Sequence, residues 1–324
     1  MSDVSGLDRL EDFSFKKMFA EVFRKHSPEE AEEHFAIGTR ATTPPLLEVQ
    51  THWPNPWAFF RIISLSILLT LAFYWAIARF QNPFLIPGWI FVGCFGIPFA
   101  VLVFFIETNV LRNVSLYRVW GLLLLGGVLS LVISLSLFDL SKIDEWLGPM
   151  SAGLIEEAGK LAAVVLFTSR WRTFPWTLNG IVFGAAVGTG FSAFETAGYV
   201  FSSLGTGESF GAEITMTLRA IFSPMTHTIW TAAAAGALWR VRGGKGLSFE
   251  TFFDWRFLRV FLLVVALHAL WNSPLTVPFV GGMPGYVLFR AILGLVGWVI
   301  ILSLVQAGIR EVAAAKQNPG QVSR

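Results

Sequence analysis

From about residue 58 onward the chain alternates apolar stretches of roughly 20 residues, the length a helix needs to cross a bilayer, with short polar connections. Eight spans are predicted, at approximately 58–79, 86–106, 117–138, 148–168, 177–202, 214–239, 257–277 and 285–308. Pro98 and Pro274 fall inside the second and seventh and blur their ends. The pattern predicts an all-α polytopic membrane protein with three parts. These are a polar N-terminal tail (1–56), an eight-span membrane domain (57–308) and a C-terminal tail (309–324). Residues 13–36 suit one or two amphipathic helices lying on the membrane, or else a partly ordered tail.

Composition agrees with that class. The 324 residues are 54% hydrophobic and 14% charged, whereas soluble domains carry about 25% charged residues. Basic residues are scattered at segment ends and form no stripe, which excludes a nucleic-acid surface. Cys94 is the single cysteine, so no intrachain disulfide and no cysteine metal site can form. The first residues lack a basic region followed by an apolar run. No cleavable signal peptide is therefore expected, and the first span serves as the insertion signal.

Charge also predicts orientation. Nine Lys and Arg (Arg112, Arg118, Arg170, Arg172, Arg240, Arg242, Lys245, Arg256 and Arg259) fall in loops after even-numbered spans, against two (Arg79 and Lys142) after odd-numbered ones. The excess places the even loops and both termini in the cytoplasm.

Against this apolar background, four consecutive spans carry ionisable residues: Glu156, Glu157 and Lys160, then Glu195, then Arg219 and His227, then His268. A charge in the hydrocarbon core costs several kcal/mol unless it is paired or reaches water, so each marks a candidate functional site. With the predicted topology, the glutamates and histidines share a layer roughly 10–20 Å below the outer surface.

Glu156 and Lys160 are spaced i,i+4 and are predicted to pair. Glu157 points about 100° away and needs another partner. Either a glutamate acts as general base, or the trio is a buried salt bridge with one interhelical hydrogen bond. In the fifth span Gly180, Gly184 and Gly188 form a small-residue ridge for close helix packing. Phe191, Glu195 and Tyr199 follow on one face, with ordinary packing as the competing role for both aromatics. Pro224 can kink the sixth span or open a water pocket between Arg219 and His227. Arg219 reads as a counter-ion for Glu195 or as an interface residue, and His227 as a site residue or a satisfied core histidine. His268 and Asn272 share a face beside Trp271. They could ligate a metal, donate to a developing oxyanion, or form a structural hydrogen-bonded pair. Arg290 reads as structural or lipid-facing.

The series Glu156-Glu157-x-x-Lys160, Phe191-x-x-x-Glu195, His227 and His268-x-x-x-Asn272 resembles the PrsW family of intramembrane proteases over residues 147–277. That family is grouped with the CAAX prenyl endopeptidases, the bacterial CPBP proteins and the scaffold subunit of γ-secretase. The resemblance implies a four-helix catalytic core in a bacterial inner-membrane endopeptidase. Its substrates would be membrane-anchored proteins or peptides, such as anti-sigma factors, cut on the extracytoplasmic side. It further implies that Glu156 activates water with Glu157 in support. His268 and Asn272 would stabilise the oxyanion, while Glu195 and His227 complete the site, backed by Lys160, Arg219, Phe191 and Tyr199. A catalytic zinc on His227, His268 and Glu195 is one option, and a metal-independent glutamate mechanism is the other. No H-E-x-x-H helix is present to decide between them. The partners implied are the lipid bilayer, a membrane-anchored substrate and, as an open possibility, a second copy of the chain. Two other classes compete: an ion-coupled transporter, which the lack of an internal repeat disfavours, and a non-catalytic scaffold.

Overall fold

A computed structural model describes residues 13–205, 209–278 and 284–318, and every regular element among them is helical. Nine long helices follow in chain order. They are α1 (Ala58–Phe80), α2 (Ile86–Thr108), α3 (Leu116–Ser141), α4 (Ala152–Thr168), α5 (Thr177–Gly205), α6 (Ser209–Phe222), α7 (His227–Arg242), α8 (Trp255–Trp271) and α9 (Gly285–Gln317). The expectation of an all-α membrane protein holds.

Five of these segments are long and apolar enough to cross a membrane: α1, α2 with its leading turn, α3, α5 and α9. The predicted count of eight is not reached by this measure, and the reasons are local. The fourth span begins with Gly148–Ser151 wound as a tight turn, with Gly148 at φ +55°, which leaves α4 17 residues long. The seventh predicted span stops early, because α8 ends at Trp271 with Asn272 as its cap and Pro274 just beyond. A proline shortly after a helix end cannot continue the helix.

The sixth predicted span is broken rather than kinked. Helix α6 ends at Phe222, Ser223–Met225 form a single turn, and α7 starts at His227. Pro224 lacks the N–H an unbroken helix would use, and Thr226 adopts φ −126°, ψ −128°, far from helical values. Pro98, in contrast, sits within an unbroken α2.

Helix α5 is the central post, buried without interruption from Thr177 to Ala193 and packed most extensively against α7. The predicted glycine ridge is the reason. A Cβ at Gly188 would meet the His227 carbonyl oxygen at 2.5 Å, and one at Gly184 would collide with the Thr231 carbonyl. The two backbones thus run in contact, and this fixes where α7 begins. Leu65, Leu68, Leu71 and Trp75 on α1 point outward, as a lipid-facing helix requires.

Over its described residues the N-terminal segment packs on the helix bundle, with short helices at Phe15–Met18 and Pro28–Phe35 inside the stretch 13–36. Val49, Trp53 and Trp57 are buried, and Trp53 pairs with Gln306 of α9. A short helix, Pro28–Phe35, carries His34, whose Nε2 lies 2.8 Å from Glu107 Oε1. Glu107 at the end of α2 also accepts from the backbone N–H groups of Trp57, Ala58 and Phe59 at 2.8, 2.9 and 3.0 Å. These are the orphan donors of the α1 N-terminus, so one carboxylate caps α1 and anchors the segment before it.

Candidate active site

Helix α4 supplies the centre of the site. Lys160 is fully buried, and its Nζ lies 2.6 Å from Glu157 Oε1, 2.9 Å from His227 Nδ1 and 3.8 Å from Glu156 Oε2. It also sits over the Phe191 ring, 4.3 Å from the centroid. A buried ammonium needs such partners, since desolvating it alone would cost several kcal/mol. The close i,i+3 partner is Glu157, so the expected Glu156–Lys160 pair is the looser of the two. Nor is Glu157 turned away from the lysine. The flexible lysine stem curls back toward Glu157, leaving Glu156 without a close partner at the cavity wall.

Two histidines in mutual ring contact, centroids 5.0 Å apart, meet this helix. On α8, His268 Nδ1 lies 2.8 Å from Glu157 Oε1, and its Nε2 lies 3.7 Å from Glu156 Oε2. Trp230 of α7 packs against the same imidazole, ring centroids 4.7 Å apart. His227, first residue of α7, bridges Lys160 and Glu195, with Nε2 3.2 Å from Glu195 Oε2. An ammonium has no lone pair to offer, so it donates to His227 Nδ1. Neutral His227 therefore carries its proton on Nε2 and gives it toward Glu195.

Glu195 is held in turn by Arg219 of α6 in a close ion pair. Arg219 Nε donates to Thr196 Oγ1 at 2.9 Å, and its guanidinium lies 4.7 Å from the centroid of the Tyr199 ring. The counter-ion role is thus the one the structure gives Arg219. The face predicted to hold Phe191, Glu195 and Tyr199 is present on α5.

All ten sequence-predicted site residues gather here. Eight of them line a cavity of about 790 Å³, while Glu157 and Lys160 stand behind its wall. Asn272 caps α8 through its backbone N–H to the His268 carbonyl, and its side chain reaches the cavity. Of the two readings of Arg290, structural or lipid-facing, the structural one fits: its guanidinium lies 5.8 Å from the Trp271 ring centroid, and it lines a smaller pocket beside the main cavity.

Glu156, His227 and His268 each bring one ligand atom to within 4.8 Å of the others, so they could hold a metal ion. The sequence expected Glu195 as the carboxylate of that set. Arg219 claims Glu195 instead, and Glu156 takes the place. The donor set fits zinc, which takes three protein ligands and an open position in catalytic sites. Glu156 Oε2 is buried without a hydrogen-bond partner. Glu157 on His268 Nδ1 matches the carboxylate that usually orients a ligating imidazole. Only His227 is engaged at both ring nitrogens and would have to release one.

Sequence reasoning overlooked Trp230, whose ring packs against His268. Tryptophan in an apolar run carries no signal of its own.

No curated protein and no solved structure matches the chain. A family model described as PrsW family intramembrane metalloprotease matches residues 87–305, a stretch that contains every residue of the site. The chain belongs to the PrsW family of intramembrane proteases.

Proposed function

We propose that the protein hydrolyses a peptide bond of a membrane-anchored protein, with Glu156 as the general base that activates water. One observation carries the assignment. Glu156 is the carboxylate of α4 that lines the cavity, and its Oε2 is buried without a hydrogen bond, 3.7 Å from His268 Nε2. Glu157 lies outside the cavity, with Oε1 shared between Lys160 and His268.

In this mechanism a water beside Glu156 attacks the scissile carbonyl. Glu156 takes its proton and returns it to the leaving amine. His268, held by Glu157, donates Nε2–H to the tetrahedral oxyanion as an imidazolium. Asn272 donates from the same wall of the cavity. Lys160 pairs with Glu157 and fixes His227, which positions Glu195. The α6–α7 break leaves backbone inside the bundle where it lines a cavity, a place where irregular backbone is tolerated at membrane depth. Helices α4, α8 and the broken pair complete the crossings that the sequence predicts. The charge bias of the loops puts the cavity in the outer half of the membrane and both termini in the cytoplasm.

The Glu156–His227–His268 group favours a second reading. Held by these three residues, a zinc ion would supply Lewis acidity and an activated water at neutral pH. His268 would then be neutral, its Nε2 lone pair free to ligate, and Lys160 would leave His227 Nδ1. The two readings thus differ in the proton on His268.

Reconstituted protein presented with a degenerate library of single-span peptides tests the proposal. Wild type is expected to cut a subset within or next to the span, with the products identified by mass spectrometry. A strong chelator separates the readings, since cleavage that persists belongs to the glutamate mechanism. A wild type that cuts nothing contradicts protease activity.

A further inference from the structure

A side pocket of about 280 Å³ opens beside the main cavity, sharing Arg219, His227, Trp271 and Asn272 with it. Its far wall belongs to α9 and carries Arg290. The Arg290 guanidinium rests between two aromatic rings, 5.8 Å from the centroid of Trp271 and 5.7 Å from that of Tyr286. No carboxylate among the described residues pairs with it. Arg219, the second guanidinium in this pocket, is already committed to Glu195. An arginine in an apolar segment is retained where it faces a cavity and meets an anion. Ser223 also lines the pocket, and its buried Oγ has no hydrogen-bond partner. Among the described residues, a cation without a counter-ion and a hydroxyl without a partner therefore face one small space that adjoins the candidate catalytic residues.

We propose that this pocket is a substrate subsite for a carboxylate next to the scissile bond, with Arg290 as its specificity-determining cation. The inference rests on the protease reading. The carboxylate comes from an Asp or Glu side chain or from the free C-terminus of the peptide. Either fits the planar fork of a guanidinium bidentately, and the flanking rings hold that fork in place. The Ser223 hydroxyl and the Asn272 amide can donate to the same anion. Substrates with an amide at that position leave the arginine without an anionic partner, a basis for rejection. The pocket's continuity with His227 and Asn272 favours a peptide over a lipid headgroup, since a group held there extends from a chain lying across the catalytic residues.

The single-span library, varied at each position near the cut, tests this on the full-length protein in liposomes. Wild type is expected to prefer Asp or Glu over Asn or Gln at one fixed position. A charged hydrogen bond of ordinary strength corresponds to a preference on the order of ten- to a hundredfold. A second set, truncated to end near the cut with a free or amidated C-terminus, separates the two sources of the carboxylate. Arg290→Gln should flatten the preference, Arg290→Lys should retain it in part, and Arg290→Glu should shift it toward Lys or Arg at the same position. Because each variant is read as a ratio between two substrates, a partial folding defect cancels. Wild-type cleavage without an acid preference, or a preference that survives Arg290→Gln, overturns the inference and leaves the protease intact. Wild-type cleavage indifferent to acids, with Arg290→Gln altering only the response to phosphatidylglycerol, gives Arg290 to a lipid headgroup and also overturns it. Absence of any wild-type cleavage defeats the protease reading, and this inference with it.

Discussion

Glu157 on α4 and His268 on α8 lie 111 positions apart in the chain and meet across a 2.8 Å hydrogen bond. The bond orients the imidazole so that Nε2 faces Glu156 and the cavity. Residues that act through a catalytic imidazole typically contribute about 10–100-fold, so Glu157→Gln should lower the cleavage rate by that order. The same change strips buried Lys160 of its nearest counter-ion, a loss worth about 3–5 kcal/mol in buried pairs. Cleavage per folded molecule, with the folded fraction taken from thermal unfolding, separates the two effects. A wild-type rate per folded molecule would remove Glu157 from this positioning role.

Arg219 and Glu195 form a pair whose worth can be isolated by a double-mutant cycle. Arg219→Gln and Glu195→Gln should each destabilise the protein, and the double variant should recover part of that loss. Coupling between contacting residues is typically about 0.5–3 kcal/mol. Stability should return in the double variant while cleavage does not, because Glu195 also holds His227. Strictly additive stabilities would mean that the pair carries no structural weight.

Gly188 is where α5 and α7 touch at the first residue of α7. Overpacking of a close contact costs about 1–3 kcal/mol, so Gly188→Ala should lower the thermal midpoint and displace His227 enough to slow cleavage. Gly198, on the same helix, meets nothing within 4 Å of its would-be Cβ, and Gly198→Ala should leave the midpoint unchanged or raised. Equal effects at both positions would refute the close-approach argument.

Glu107 caps α1 far along the chain from the candidate catalytic residues. Removal of a cap costs about 0.5–2 kcal/mol, so Glu107→Ala should destabilise by that amount and loosen the segment before α1. Hydrogen exchange over residues 28–57 would report the loosening. Unchanged protection there would show that the segment is anchored by Trp53 and Val49 instead.

The apolar pattern made the helical class legible because bilayer length and hydropathy are properties of single segments. That the ten candidate residues gather at one place was legible for a related reason: ionisable groups such as Glu195 and His268 stand out against a hydrocarbon-like background. Three-dimensional detail was not. Local spacing favoured Glu156 as the partner of Lys160, yet Nζ lies closer to Glu157 because His268 and His227 fix the other ends of the network. Pro224 signalled a disturbance, but whether a proline bends a helix or ends it depends on what packs around it. Pro98 in unbroken α2 shows the other outcome. Glu107 escaped attention because it falls just past a predicted span end, where a charge looks ordinary.

The central claim is that Glu156 activates the water, and single-turnover cleavage of a library-identified peptide tests it most directly. Wild type, Glu156→Gln and Glu156→Asp would be compared in liposomes at saturating enzyme. General-base catalysis is worth about 10²–10⁴-fold, so the glutamine variant should lose at least that much while binding the peptide and unfolding at the wild-type temperature. The aspartate variant should retain a measurable fraction. A glutamine variant that cleaves within a few-fold of wild type would contradict the account and move the base elsewhere in the cavity.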